Sequence, residues 1–427
     1  MKHRVPYGDG SLQFDVPDEN LLVVAAPNAV VVDATPEALT RAALARPVGA
    51  GLPGGPGCSV AIICEDATRP TPTPPILETL VRALTDRGVR ERDITIVMAL
   101  GSHRPMTEAE IIAKVGESLF GRIAVVNSEF RDRDRLVHRG RAPGGVEVWV
   151  DQRVAMADVR VGVGSIVPHP AVGWSGGGKI IYPGVTGEET VAQFHVRHGR
   201  TPRNMFGEDD CPVRLEMEEW VPTVGLDFIV NAVVTPDRRI YRVVAGHFVD
   251  AHRAGVRYAK EVYEVSVPAL ADVAVVSSAP ANADFWQGGK GILSGDRAVK
   301  DGGTLLLVSP CVEGVGPHPE VVKTCRADDP DAELERGLKA AGGDVLALAV
   351  GATVGRIRQR LRLGIVTDGL SDGQVEAAGL VRYKDIASGL REAFERYGPD
   401  LTVTVVPYGG QTVPVIAERA ARGETGV

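Results

Sequence analysis

The sequence has little cysteine and no surplus of positive charge, and each shortage removes a class of protein. Its five cysteines in 427 residues (Cys58, Cys64, Cys211, Cys311, Cys325) are an odd number without paired short spacing. That excludes a zinc-finger or zinc-ribbon framework and predicts reduced thiols. The formal net charge of −8 argues against nucleic acid as a partner, because neutralising phosphates needs a basic surface. No apolar run approaches the roughly 20 residues of a membrane span. The first ten residues lack the apolar core of a signal peptide, so a cytoplasmic protein is expected. Repeats and low-complexity segments are also missing.

What is present is glycine and proline, 50 and 29 residues, which imply many tight turns in a loop-rich α/β enzyme. The length suffices for two or three domains. After short strands and turns in residues 1–33 and a Gly/Pro-rich loop at 46–57, strand and helix patterns alternate. Apolar runs at 60–64, 94–99, 123–126 and 159–163 read as strands. Residues 76–87 and 107–115 read as helices, the second opened by a capping box of Thr107 and Glu110. Residues 188–198 read as a further helix, and 146–150 as half of a hairpin. The alternation resumes with strands at 273–277, 304–308, 363–366 and 401–406 and helices at 331–341 and 383–397. This pattern predicts two α/β lobes with largely parallel sheets flanked by helices and a cleft between them. The division expected is an N-terminal catalytic lobe of residues 1–265 and a C-terminal lobe of 266–427.

In such sheets the loops at strand ends share one crevice. Those loops carry Asp66, Thr68 and Arg69; Gly101-Ser102-His103-Arg104-Pro105; and Pro168-His169-Pro170. A glycine turn, Gly176-Gly177-Gly178-Lys179, follows. Three glycines leave room for backbone amides to converge on an anion, and a helix opening at Lys179 would add partial positive charge there. His195 and His198 are spaced to share a helix face. In the second lobe, 284–291 holds Gln287 and Lys290 among glycines. Singly, Arg69 also fits a turn-stabilising arginine, and His103 and Lys290 fit solvated loop residues. His138, His247, His252 and His318 lie in charged or turn-like contexts and receive no role. Gly173 to Lys179 has phosphate-loop spacing, but Ile180 replaces the magnesium-binding hydroxyl, which counts against a nucleotide hydrolase.

Together these residues resemble the nickel-dependent lactate racemase family of 2-hydroxy acid racemases and epimerases. The resemblance rests on Asp66-x-Thr68-Arg69-Pro70, Gly101 to Pro105, Pro168-His169-Pro170, Gly176 to Lys179, His195 and Gln287-x-x-Lys290, in order and at similar spacing. It implies an isomerase that uses the nickel pincer nucleotide, pyridinium-3,5-bisthiocarboxylic acid mononucleotide nickel. It also implies a small 2-hydroxy acid substrate and cofactor-synthesis enzymes as partners. Lys179 would tether the cofactor, with Asp66, Gly177 and Gly178 beside it and His195 as the nickel ligand. His103 and His169 would be the acid/base pair, and Arg69, Gln287 and Lys290 would face the substrate carboxylate. A cofactor carrier without turnover is the alternative. The lactate racemase that defines the family has a pocket tryptophan in its second lobe. Here only Trp286 follows residue 220, which implies a differently shaped pocket.

Overall fold

Two six-stranded sheets organise the described residues. The computed structural model describes residues 1–69, 71–340 and 342–417; Pro70 of the Asp66 motif, residue 341 at the end of the expected 331–341 helix and residues 418–427 lie outside it. The first sheet has the order Ile240–Gly246, Phe228–Val234, Val159–Ser165, Val60–Glu65, Ile94–Ala99, Ala124–Asn127, parallel except for its antiparallel first strand. Val60–Glu65 is buried along its whole length, as a strand covered on both faces must be. Ile62 and Ile63 point to opposite faces and enter two different cores. The helix Pro74–Asp86 buries Ile76, Leu77, Leu80, Val81 and Leu84 as one stripe against that sheet. The expected capping box is made: Thr107 and Glu110 cap the helix Glu108–Val115 reciprocally.

The second sheet is wholly parallel: Val381–Arg382, Arg362–Val366, Val299–Val308, Ala271–Ser277, Val403–Val406, Leu21–Val24. The fold class read from sequence is thus present. Its lobes, however, are not contiguous in the chain. Residues 1–265 were expected to stay in the first lobe, yet Leu21–Val24 is an edge strand of the second sheet. The strand Glu264–Val267 likewise pairs with Val413–Ile416 near the far end of the chain. Among the described residues no helix is long and apolar enough to cross a membrane.

Several helices were not read from sequence. Phe285–Asp296 contains four glycines and reads as a loop. A Cβ on Gly291 or Gly295 would stand 2.8 Å from Leu307 or 2.6 Å from Leu305, so glycine is what lets this helix lie on the sheet. Val345–Arg360 is buried on most of its circumference and so lacks an amphipathic period; Asp344 caps it, accepting from the Leu346 and Ala347 amides. Pro212–Val224, adjoining a stretch that reads as irregular, is also helical.

In the first sheet the connections leave in opposite directions from Val60–Glu65 and Val159–Ser165, which are neighbours. A crevice opens at the carboxyl ends of those two strands.

Candidate active site

The crevice begins with a buried charge. Glu65 ends its strand and accepts from the Ser165 amide at 2.8 Å and the Ser165 hydroxyl at 2.9 Å. Its other oxygen lies 3.2 Å from Lys114 Nζ, which also donates to the carbonyls of Arg69 (2.9 Å) and Thr71 (3.0 Å). One enclosed ammonium thus fixes the loop that carries Arg69. Neither Glu65 nor Lys114 was singled out from sequence, because nothing local marks a partner 49 residues away.

Asp66, the next residue, accepts from the Thr68 amide and hydroxyl, and its Oδ2 lies 2.5 Å from His103 Nδ1. Burial pushes the Asp66 pKa up, but the hydrogen bond and charge of His103, with Arg69 and Thr68, outweigh it. The carboxyl is held below the usual carboxylate range. A carboxylate can only accept, so His103 carries hydrogen on Nδ1 and leaves Nε2 to exchange a proton. His169 differs: its Nδ1 accepts from the Ala171 amide at 3.1 Å, so the neutral ring bears hydrogen on Nε2. Burial, then the charges of Lys179, Arg69, Lys290 and His198, keep its pKa well below that of free imidazole.

The expectation for Gly177 and Gly178 is corrected. Both are buried, but the cavity is lined by Gly176 and Lys179 and not by them. The Gly177 amide donates to Asn231 Oδ1 at 2.9 Å and is not free for an anion. A Cβ there would meet His252 at 3.1 Å, and one on Gly178 would meet Val221 at 2.8 Å. These glycines let the loop pack into the core. Nor does a long helix open at Lys179: Gly177–Ile180 is a single 3-10 turn. The loop is held instead through its carbonyls. Arg214 donates to those of Val172, Trp174 and Gly176, and His252, given no role from sequence, donates to that of Ser175 at 2.9 Å.

Among the described residues, Lys179 Nζ has no hydrogen-bond partner. Burial, then Arg69 and Arg214, bring its pKa down to about 7. On the helix Glu188–Gly199, His195 Nδ1 donates to the Val191 carbonyl at 2.8 Å, which leaves a lone pair on Nε2. Burial, chiefly, lowers its pKa to about 4, so the ring is neutral near pH 7. His198, one turn on, also lines the cavity, and burial lowers its pKa to about 3.

The second lobe closes the crevice with the helix Phe285–Asp296, capped by Asp284. Lys290 Nζ donates to Gln287 Oε1 at 2.8 Å. Burial first, then Arg69, lower the Lys290 pKa to about 7. Trp286 stacks on His318, ring centroids 4.5 Å apart, and His318 pairs with Asp344 at 2.8 Å. His318, which received no role, therefore braces a cavity-wall residue. His138 and His247 pair with Glu147 and Asp250 and do not line the cavity.

Asp66, Arg69, His103, His169, Lys179, His195, Gln287 and Lys290 all line this one cavity. Two lobes of largely parallel sheet with titratable and cationic groups converging between them define a two-lobed α/β protein with a polar cleft. The chain belongs to the lactate racemase family and is an enzyme of the isomerase class. Residues 7–207 match the lactate racemase N-terminal domain and residues 267–416 the lactate racemase C-terminal domain. The lactate racemase of Thermoanaerobacterium thermosaccharolyticum is 27% identical over 416 residues, 95% of this chain and 97% of that protein. That of Lactiplantibacillus plantarum is 28% identical over 364 residues, 82% and 84% of the two chains. The apoprotein structure of the former superposes with a TM-score of 0.85 at 26% identity, covering 97% of this chain and all of that one. A Thermotoga maritima protein shares the fold at a TM-score of 0.66 and 20% identity.

Proposed function

We propose that the protein inverts C2 of a 2-hydroxy carboxylic acid, with a nickel pincer nucleotide held in the cleft. The observation that carries this reading is the company kept by the two histidines. In one cavity with His103 and His169 stand a lysine whose pKa burial brings down to about 7 and an imidazole whose Nδ1 is tied to a backbone carbonyl. Those two groups fit the cofactor: an uncharged amine can form the thioamide tether, and a neutral imidazole fixed through Nδ1 is a metal ligand. Among the described residues no three His, Cys, Asp or Glu side chains converge as a metal cage, and His195 would be the residue that holds the nickel.

When bound, the cofactor supplies a hydride acceptor and donor for C2, chemistry that side chains do not provide. The chain's own groups manage the rest. Arg69 can hold the substrate carboxylate through paired N–H donors, and Lys290, oriented by Gln287, adds a second cation. Near neutral pH a bound carboxylate draws Lys290 toward its protonated form. His103, backed by Asp66, can take the hydroxyl proton of one enantiomer at Nε2, and His169 would be the base for the other. His169 presents Nε2–H as a donor; to accept a proton there it must move its hydrogen to Nδ1 and give up the Ala171 amide. The histidines are thus unequal in the resting site. With its carboxylate anchored, a 2-keto acid in this cleft could turn about that anchor and expose the other face of C2.

Protein made together with the cofactor-synthesis enzymes should erase the optical rotation of a single-enantiomer 2-hydroxy acid. Cofactor-free protein should be folded and inactive. Racemisation by metal-free, nucleotide-free protein would overturn the reading, as would unchanged rotation across a broad panel of such acids.

A further inference from the structure

The cavity extends past the groups used above. One turn beyond His195 lies His198, and one turn beyond Lys290 lies Leu293; both line the cavity. A helical turn rises about 5.4 Å, so two helices from different lobes continue the site by that distance. The helix Val345–Arg360 adds Val350, Thr353 and Val354 to this wall. It approaches the helix Glu188–Gly199 closely because Gly199 has no side chain: a Cβ there would stand 2.7 Å from the Ala349 backbone. From these two packed helices both His198 and Thr353 line the cavity.

His198 is 5% exposed, and neither ring nitrogen has a hydrogen-bond partner among the described residues. Nδ1 is sealed from solvent, and the ring lines the cavity. Thr353 gives its hydroxyl proton to the Ala349 carbonyl at 3.2 Å and keeps its lone pairs. Phe194, Leu293, Val350 and Val354 also line the cavity. An aliphatic ligand filling this wall would leave a buried imidazole unpaired, which is costly. A distal carboxylate would need a cation, and Arg356 beside His198 is spent. Its guanidinium donates to Asp331 and to the carbonyls of Gly199 and Thr201. A hydroxyl both donates and accepts, so it satisfies either tautomer of His198 and can give its proton to Thr353.

We infer that the substrate's C2 substituent is longer than methyl and carries an uncharged hydroxyl bound by Nε2 of His198, making the substrate a polyhydroxylated 2-hydroxy acid. This rests on the racemase reading. The test compares lactate, 2-hydroxypentanoate, malate and the 2,3,4-trihydroxybutanoates as single stereoisomers with cofactor-loaded protein. A trihydroxybutanoate is turned over with kcat/KM about tenfold or more above 2-hydroxypentanoate, the scale of one satisfied hydrogen bond in a closed site. His198→Leu and Thr353→Val each bring that ratio toward one. A second measurement needs neither variant nor turnover: cofactor-free wild-type protein is stabilised against thermal unfolding more by the trihydroxybutanoate than by 2-hydroxypentanoate at equal concentration. Preference for 2-hydroxypentanoate, malate or lactate, or a ratio untouched by His198→Leu, overturns the hydroxyl subsite and leaves the racemase reading standing. If no acid is epimerised, the racemase reading falls and takes this inference with it.

Discussion

Asp66 Oδ2 and His103 Nδ1 lie 2.5 Å apart, brought together from loops that follow neighbouring parallel strands. The carboxylate's other oxygen is tied by Thr68, so it cannot turn away without losing two further hydrogen bonds. The imidazole is thereby fixed in both tautomer and direction. Asp66→Asn offers Nδ1 a donor in place of an acceptor and allows the wrong tautomer. We expect kcat to fall by about 10²–10⁴-fold in both directions, the usual worth of acid–base assistance, with little change in thermal stability. Polarimetry from each pure enantiomer checks this, and a loss below threefold would remove Asp66 from the mechanism.

Replacing either His103 or His169 with alanine should suppress both directions together, because each turnover uses both faces of C2. A variant that slows one enantiomer only would contradict the shared role. With 2-deuterated substrate the label should remain at C2 of the product, since it moves as hydride. Washout of deuterium into water, read by mass spectrometry, would show direct proton abstraction from C2 instead.

Lys179 should react as its neutral amine. Its pKa of about 7 means that the rate of tether formation rises with pH through that value and levels above it. Intact-mass spectra of protein incubated with the mature cofactor between pH 6 and 9 follow the adduct. Lys179→Ala should show none; an equal adduct on that variant would rule the tether out.

The two enclosed lysines also make a stability prediction. Lys179 and Lys290 have folded pKa values of about 7, below the unfolded value of about 10.4. Between those values the unfolded chain binds more protons, so each lysine makes stability rise with pH across that window. Urea denaturation at pH 7, 8 and 9 should show a flatter profile for Lys179→Met and for Lys290→Met than for wild type. Parallel profiles would mean that neither lysine is depressed.

Lys114→Met strands the Glu65 carboxylate and frees the carbonyls of Arg69 and Thr71. Breaking such a pair costs about 3–5 kcal/mol. Adding Glu65→Gln should recover part of that loss, since the stranded charge is then gone. Chemical denaturation of the single and double variants measures the coupling, and simple additivity would show that the two groups act independently.

The sequence by itself determined the parallel-sheet architecture, because strands buried on both faces must be continuous apolar runs such as 60–64 and 159–163. It also determined which loops meet at the cavity, since Asp66, His103 and His169 each stand just past a strand, where tight turns and prolines mark the place. Its helix at 107–115 was legible through local capping chemistry, which acts within one turn. Tertiary structure decided what depends on distant neighbours. The glycines at 177 and 178 look like an anion cradle, but they are required by His252 and Val221, far along the chain. The helices Phe285–Asp296 and Val345–Arg360 escape sequence patterns because one is rich in glycine and the other is apolar on nearly every side. Leu21–Val24 joins the second sheet only through pairing with Val403–Val406, almost the full chain length away. The buried Lys114 and the unpaired ring of His198 acquire meaning only from what surrounds them. Periodicity reports which side of an element is buried; it carries no record of which other element does the burying.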